Sequence, residues 1–367
     1  MERKIKVMIV DDSPLMRKLL SNVLSEDPQI EVVGSAPNGK IALDKIGALR
    51  PDVITMDVQM PVMDGIETLT RIMIQKPTPV IMISAYTEEG ANLTFKALEL
   101  GAVDFITKPD AIFARPIVDI RDEIIMKIKT ANKINVKRLG KDKEEELEER
   151  ETKAREEKKA REERKEKAEH EVSLEKCRKI VSIGVSTGGP EALKEIIPHL
   201  PPHIDAGILI VQHMPPGFTN AFAQRLDTIS DIEVKEAQEG DIIMPGRILI
   251  AKGDYHLKIK EEKFAYITRI THEERVKLFR PSIDVMMMST AEHFQNRTIG
   301  LIMTGMASDG VDGIRVIKEK GGITLAQDEK TSVVFGMNKL AIESGYVDRI
   351  VGLKEIVPVL MNLIEKL

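Results

Sequence analysis

The sequence predicts two α/β domains, each a doubly wound, mostly parallel sheet, joined by a charged spacer. Three observations predict it. Short β-branched runs alternate with helix-patterned stretches in residues 1–132 and again in 179–367. Reactive polar residues collect just after those runs, where ligands bind in open α/β sheets. Between the halves, 25 of the 31 residues from Lys141 to Glu171 are charged, with no glycine or proline.

A chain of 367 residues fits two domains, and 42% hydrophobic residues can fill two cores. Aromatics make up only 4% and Trp is absent, so the cores are aliphatic and methionine-rich. A net charge of −5 offers no general attraction to nucleic acid or anionic membrane. The one cysteine, Cys177, excludes an internal disulfide and a cysteine-rich metal site. No apolar run reaches membrane-spanning length, and Met1 to Asp12 lacks a signal-peptide core. A cytoplasmic location without membrane insertion is the expectation.

In the first half, Lys6 to Val10 reads as a strand ended by Asp11-Asp12, and Ser13-Pro14 starts a helix as N-cap and first helical residue. Strands follow at Glu31 to Ala36, Val53 to Met56, Val80 to Ile83 and Val103 to Ile106. Helices alternate with them at Lys40 to Leu49, Ile66 to Ile74, Ala91 to Leu100 and Ile117 to Ala131. Asp11, Asp12, Asp57, Ser84 and Lys108 all fall just past strand ends. Three crowded carboxylates repel one another and call for a hard divalent cation such as Mg²⁺. A carboxylate is also a competent nucleophile toward phosphorus, and a lysine with a hydroxyl would hold the transferred phosphoryl oxygens. The alternative for each aspartate alone is a turn or cap residue.

The stretches V-D-D-S-P-L-M-R at 10–17, M-D-V-Q-M-P-V-M-D-G at 56–65, S-A-Y at 84–86 and T-K-P at 107–109 make this half resemble the receiver domain of bacterial response regulators. The resemblance implies a flavodoxin-like (βα)5 fold with Asp57 as phospho-acceptor. It implies Asp11, Asp12 and Asp57 as Mg²⁺ ligands with the Gln59 carbonyl. It also implies Ser84 and Lys108 on the phosphoryl group, Phe105 as switch aromatic, and a histidine kinase as phosphodonor. Ser84 stands where many members have threonine.

Residues 133–178 read as a solvated, partly helical spacer. Acid-first i,i+4 pairs such as Glu146/Arg150 and Glu157/Arg161 favour helix, and no apolar seam for a coiled coil is present. The interleaved acids argue against nucleic-acid binding, and His170 reads as solvated.

The second half opens on Lys179 to Ile183, a strand leading into Gly184-Val185-Ser186-Thr187-Gly188-Gly189 and a helix from Glu191 to Leu200. Gly184 to Gly188 fits the G-x-S-x-G of a nucleophile elbow. A strand at Gly207 to Val211 precedes His213, and a helix follows from Thr219 to about Leu226. Arg247 to Ala251, His256 to Lys260 and Phe264 to Ile270 read as short strands, in hairpins. Ile283 to Phe294 is helical, Thr298 to Met303 is a strand, and a glycine-punctuated loop with Met306 and Asp309 precedes a helix from Val311 to Lys320. An amphipathic helix, Leu353 to Leu367, closes the chain.

Three strand-end loops thus carry Ser186, His213 and Asp309, the parts of a hydrolytic triad. Their chain order, Ser-His-Asp, differs from the Ser-Asp-His of α/β-hydrolases. The glycine loop could alternatively cradle a phosphate, giving a non-catalytic nucleotide-binding output domain. Asp312 is an alternative acid, expected within the following helix. His199, His203, His256, His272 and His293 have no comparable setting.

I-G-V-S-T-G-G-P at 183–190, V-Q-H-M-P-P-G-F-T at 211–219, P-S-I-D-V-M at 281–286 and M-T-G-M-A-S-D-G at 303–310 make this half resemble the catalytic domain of the chemotaxis receptor methylesterase. The domain order agrees with that family, although the spacer is longer. The resemblance implies Ser186 as nucleophile, His213 as general base then acid, and Asp309 as its orienter. The implied reaction is hydrolysis of glutamate methyl esters on chemoreceptors, with glutamine deamidation at the same sites. An oxyanion is expected to meet backbone N–H groups at Thr187 and near Met306, with no metal in this half.

Overall fold

The computed structural model describes residues 3–85, 87–108, 117–134, 136 and 176–367. Tyr86, Pro109 and residues 137–175 of the spacer expected at 133–178, His170 included, lie outside the described residues. The chain divides into two compact units, Met1–Glu148 and Glu149–Leu367.

In the first unit, strand and helix alternate as β1 (Ile5–Val10), α1 (Pro14–Ser25), β2 (Ile30–Ala36), α2 (Gly39–Leu49) and β3 (Val53–Asp57). They continue as α3 (Gly65–Gln75), β4 (Val80–Ser84), α4 (Glu88–Glu99), β5 (Asp104–Thr107) and α5 (Ile117–Ala131). Helix starts are set by side-chain caps. Ser13, Asn38, Asp64 and Thr87 each accept from a backbone N–H in the first turn. The sheet runs β2-β1-β3-β4-β5 with every pair parallel. Val7, Ile9, Val53, Ile81 and Ile83 are buried on one face, against Leu20 and Leu24 of α1 and Ile124 and Ile128 of α5. Each such side chain contributes about 1.5–3 kcal/mol of burial free energy. Strand order reverses between β1 and β3, so the crevice opens where Asp11, Asp12 and Asp57 stand.

The second unit starts with β6 (Ile180–Val185), α6 (Gly189–Ile196), β7 (Gly207–Gln212) and α7 (Phe218–Ile229). Next come β8 (Glu233–Glu236), β9 (Ile242–Ile243), β10 (Arg247–Ile250), β11 (His256–Glu261) and β12 (Tyr266–Thr271). It ends with α8 (Ile283–Phe294), β13 (Thr298–Ile302), α9 (Val311–Glu319), β14 (Ile323–Gln327), α10 (Met337–Glu343), β15 (Arg349–Val351) and α11 (Ile356–Lys366). Seven parallel strands run β15-β14-β13-β6-β7-β10-β8, and β11-β12-β9 form a small antiparallel sheet.

Two expectations change here. Arg247–Ile250 belongs to no hairpin; it lies parallel to β7 inside the main sheet. Ile248, Leu249 and Ile250 are all buried, the continuous apolar run of a strand covered on both faces. β8 was not foreseen, because an edge strand of sequence E-V-K-E buries only Val234. The closing helix begins later than expected, after a 3-10 turn at Leu353–Glu355. No helix among the described residues is long and apolar enough to cross a membrane.

β6 has β7 on one side and β13 on the other. The chain turns outward in both directions from β6, so the crevice of this sheet lies at the carboxyl ends of β6, β7 and β13.

Candidate functional site

That crevice is where the second unit gathers its reactive side chains. Ser186 follows β6, and its own N–H donates to the Thr304 carbonyl at 3.0 Å. The turn closes with Gly189 N–H donating to the Ser186 carbonyl at 2.8 Å, and Gly188 holds φ +79°, a conformation that favours glycine. His213 follows β7 and its N–H donates to the Val185 carbonyl at 3.1 Å. Buried Gln212 ties the two loops, its Nε2 donating to the carbonyls of Ser186 and His213, each at 3.1 Å. Thr304 ties Ser186's loop to the one after β13, its hydroxyl donating to the Thr187 carbonyl at 2.9 Å. Met306 and Thr187 are both buried on these tied loops.

Asp309 is fully buried at the end of the third loop. Its Oδ2 lies 2.8 Å from His213 Nε2. It also accepts from Ser282 Oγ (2.7 Å), Ile283 N (2.7 Å) and Asp284 N (3.1 Å) at the start of α8. A carboxylate at a helix N-terminus meets unpaired N–H groups and the positive end of the dipole. Burial alone would push the Asp309 carboxyl up, but the bond and charge of His213 and the α8 donors outweigh it and hold the carboxyl below its ordinary range.

An ionised Asp309 only accepts, so His213 Nε2 carries the hydrogen. His213 Nδ1 is therefore the nitrogen with a free lone pair, and it is buried with no hydrogen-bond partner. No hydrogen bond joins Ser186 Oγ to His213. The Phe279 ring lies flat on the imidazole, with centroids 3.8 Å apart and planes 4° apart.

Asp284 mirrors Asp309. Its Oδ1 accepts from Gly310 N (2.8 Å) and Gly313 N (2.7 Å) at the start of α9. Each acid thus sits on the other's helix. Burial first, and then the charge of Asp309, raises the Asp284 carboxyl, against the pull of Lys277 2.8 Å from its Oδ2. Lys277 also pairs with Asp312 at 2.7 Å. Asp312 therefore belongs to a surface ion pair in α9 and makes no bond to His213.

Gln212, Phe279, Ser282, Asp284 and Lys277 were not singled out from the sequence. The signal available was the serine of P-S-I-D-V-M, a good N-cap before an apolar run. His256 has no comparable setting in the sequence, yet the fold buries it and bonds both its nitrogens.

In the first unit, oxygens of Asp11, Asp12 and Asp57 lie within 4.8 Å of one another. Asp11 Oδ2 is buried and accepts no hydrogen bond. Such a set fits a small hard divalent cation. Lys108 Nζ donates to Asp57 Oδ2 at 2.7 Å and lies 3.8 Å from Asp11 Oδ2. Burial pushes both carboxyls up, with Lys108 opposing. Gln59 N–H reaches Asp57 Oδ1 at 3.4 Å, which brings its backbone to the cluster. Ser84 Oγ donates to the Gly90 carbonyl at 3.1 Å, so here it bonds to α4 and not to Asp57. Phe105 is buried.

A family model described as CheB methylesterase matches residues 181–360, and one described as the response regulator receiver domain matches residues 7–114. A protein of Pyrococcus horikoshii named protein-glutamate methylesterase/protein-glutamine glutaminase is 46% identical over 100% of this chain and 95% of its own. A Pyrococcus abyssi protein of the same name is 45% identical over 99% of this chain and 94% of its own. The crystal structure of the Thermotoga maritima CheB methylesterase catalytic domain, 43% identical, matches with a TM-score of 0.50 over 50% of this chain and 98% of that one.

Proposed function

This chain belongs to the CheB methylesterase family, protein-glutamate methylesterases with a receiver domain, and from that premise we propose that a Ser186-His213-Asp309 triad performs its ester hydrolysis. The observation that carries the proposal is the His213 Nε2–Asp309 Oδ2 bond of 2.8 Å in the same crevice as Ser186. A phosphate-cradling role for the glycine loop would leave that pair without a purpose.

Ser186 Oγ attacks the ester carbonyl of a receptor glutamate as its proton passes to His213 Nδ1. The imidazolium is balanced by Asp309 and faced by the Phe279 ring. The tetrahedral oxyanion needs preorganised donors, and the N–H groups of Thr187 and Met306 are assigned that task. The C–O bond to methanol breaks, with methanol taking the proton from Nδ1. Water then attacks the glutamyl-serine ester by the same route and releases the free glutamate. A glutamine side chain would follow the same path with ammonia as leaving group.

The domain limits proposed are 1–132 for the receiver, 133–178 for the spacer and 179–367 for the esterase. In the receiver, Asp57 accepts a phosphoryl group from a chemotaxis histidine kinase. Asp11, Asp12, Asp57 and the Gln59 carbonyl would hold Mg²⁺, which would neutralise the charge of the incoming phosphoryl group. Lys108 pairs with the phosphoryl oxygens, and Ser84 turns from Gly90 to join it. Phosphorylation then shifts the chain toward an active form. The site of action is the cytoplasmic part of the chemoreceptors.

The test is methanol release from methylated receptor. Ser186→Ala is expected to lower kcat by roughly 10⁴–10⁶-fold, and His213→Ala by nearly as much, because triad members act as a unit. Release near the wild-type rate from Ser186→Ala would overturn the assignment.

A further inference from the structure

His256 lies outside the triad, and its ring is buried at the start of β11. Its Nε2 is 2.9 Å from the Glu274 carbonyl, which can only accept. Its Nδ1 takes the Ser282 N–H at 3.2 Å, which can only donate. The ring is therefore fixed as the neutral tautomer with hydrogen on Nε2. Burial, the largest influence on it, opposes a charge there.

The two partners lead to different parts of the His213 ring, one to its face and one to its Nε2 edge. Glu274 precedes a tight turn in which Val276 and Phe279 exchange backbone bonds, 3.1 and 2.8 Å long. That turn carries the Phe279 ring that covers the imidazole. Lys277 and Leu278 at its tip hold φ +49° and +77°, a strained arrangement for side-chain-bearing residues. Ser282 leads the other way, its hydroxyl holding Asp309 Oδ1 at 2.7 Å. Charged neighbours of His256 are accounted for elsewhere: Lys258 pairs with Glu273 at 2.6 Å, and Arg280 with Asp254 at 2.8 Å.

We propose that His256 is a positioning residue, a neutral imidazole strut that sets the distance between the Phe279 arm and the Ser282–Asp309 arm gripping His213. This rests on the triad reading. The strut acts on the step in which His213 gains its proton, since both arms stabilise that charge. It makes no contact with substrate.

The experiment uses the full chain and two readouts: methanol release from methylated receptor, and the rate at which a fluorophosphonate probe labels Ser186. His256→Phe keeps the ring volume without either bond. His256→Asn keeps an acceptor near Ser282, and His256→Gln keeps a donor within reach of Glu274. The expected result for Phe is a loss of about 10–100-fold in both kcat and labelling rate, with KM changed less than about twofold. Asn and Gln should each recover part of that loss. If Phe does not fold, Asn and Gln decide: each is expected to be slower than wild type by about 3–10-fold in both readouts. Wild-type kcat and labelling in the folded variants, or a loss residing in KM alone, overturns the proposal. Failure of the underlying reading looks different. Labelling that survives Ser186→Ala removes the triad, and a labelled wild type that releases no methanol removes the substrate while leaving the strut testable.

Discussion

Asp309 accepts from Ser282, Ile283, Asp284 and His213 at once. Replacing it with asparagine puts an amide where an acceptor must stand. An amide donating to His213 Nε2 moves the ring hydrogen to Nδ1 and removes the base. Asp309→Asn is therefore expected to cost about 10³–10⁴-fold in kcat for methanol release. The same residue has a pH signature. Its carboxyl is held below the ordinary range in the fold. Its stabilising charge is thus fully present above the unfolded value and lost as pH falls through the folded one. Asp309→Asn should be less stable than wild type at neutral pH, and the gap should narrow below about pH 4. Paired urea melts at several pH values check this. A gap that widens on acidification contradicts the assigned direction.

At the scale of elements, the loops after β6, β7 and β13 work because they pack without side chains in the way. A Cβ on Gly305 would stand 2.7 Å from Ser186 Cβ and 2.9 Å from the Met337 thioether. Met337 can bend aside, whereas Ser186 is fixed by its turn. Gly305→Ala should therefore slow methanol release by about 10–100-fold while costing only about 1–3 kcal/mol in chemical denaturation. An activity loss no larger than that of Gly47→Ala, whose added Cβ would meet nothing within 4 Å, contradicts the crowding argument. The alternation of strands and helices was legible because β-branched runs and capping serines mark their own ends. So were Asp11, Asp57, Ser186, His213 and Asp309, because a polar residue after an apolar run stands at a strand's carboxyl end. Arg247–Ile250 was legible as a strand but not as a neighbour of β7, since sheet order is decided by long-range packing. Asp284, Gln212 and His256 were hidden for a related reason. Each has a partner 26 residues away, Ser186 for Gln212, Ser282 for His256 and Gly310 for Asp284, and no local pattern announces such bonds.

At the scale of the whole molecule, a receiver unit and a methylesterase unit share one chain. If Asp57 controls the esterase, Asp57→Asn should abolish the rise in methanol release that a small phosphodonor gives the wild type. Basal release should stay within about twofold, because no triad residue changes. Chelating divalent cations should have the same effect as the substitution, since the acid cluster that would hold the ion lies in the first unit. A phosphodonor response that survives both treatments would mean the control does not pass through Asp57.

The exchange of acids between α8 and α9 bears on when the enzyme becomes an enzyme. Ser282 caps Val285 N–H within α8 itself, but Ile283 and Asp284 N–H at α8 wait on Asp309, and Gly310 and Gly313 N–H at α9 wait on Asp284. The acid of the proposed triad is one of the two that must be traded. A nascent or partly unfolded chain can present Ser186, but it has no oriented imidazole to arm it. If the proposed triad holds, esterase competence is bound to completion of the fold, and a chain caught midway through synthesis or degradation is no indiscriminate hydrolase.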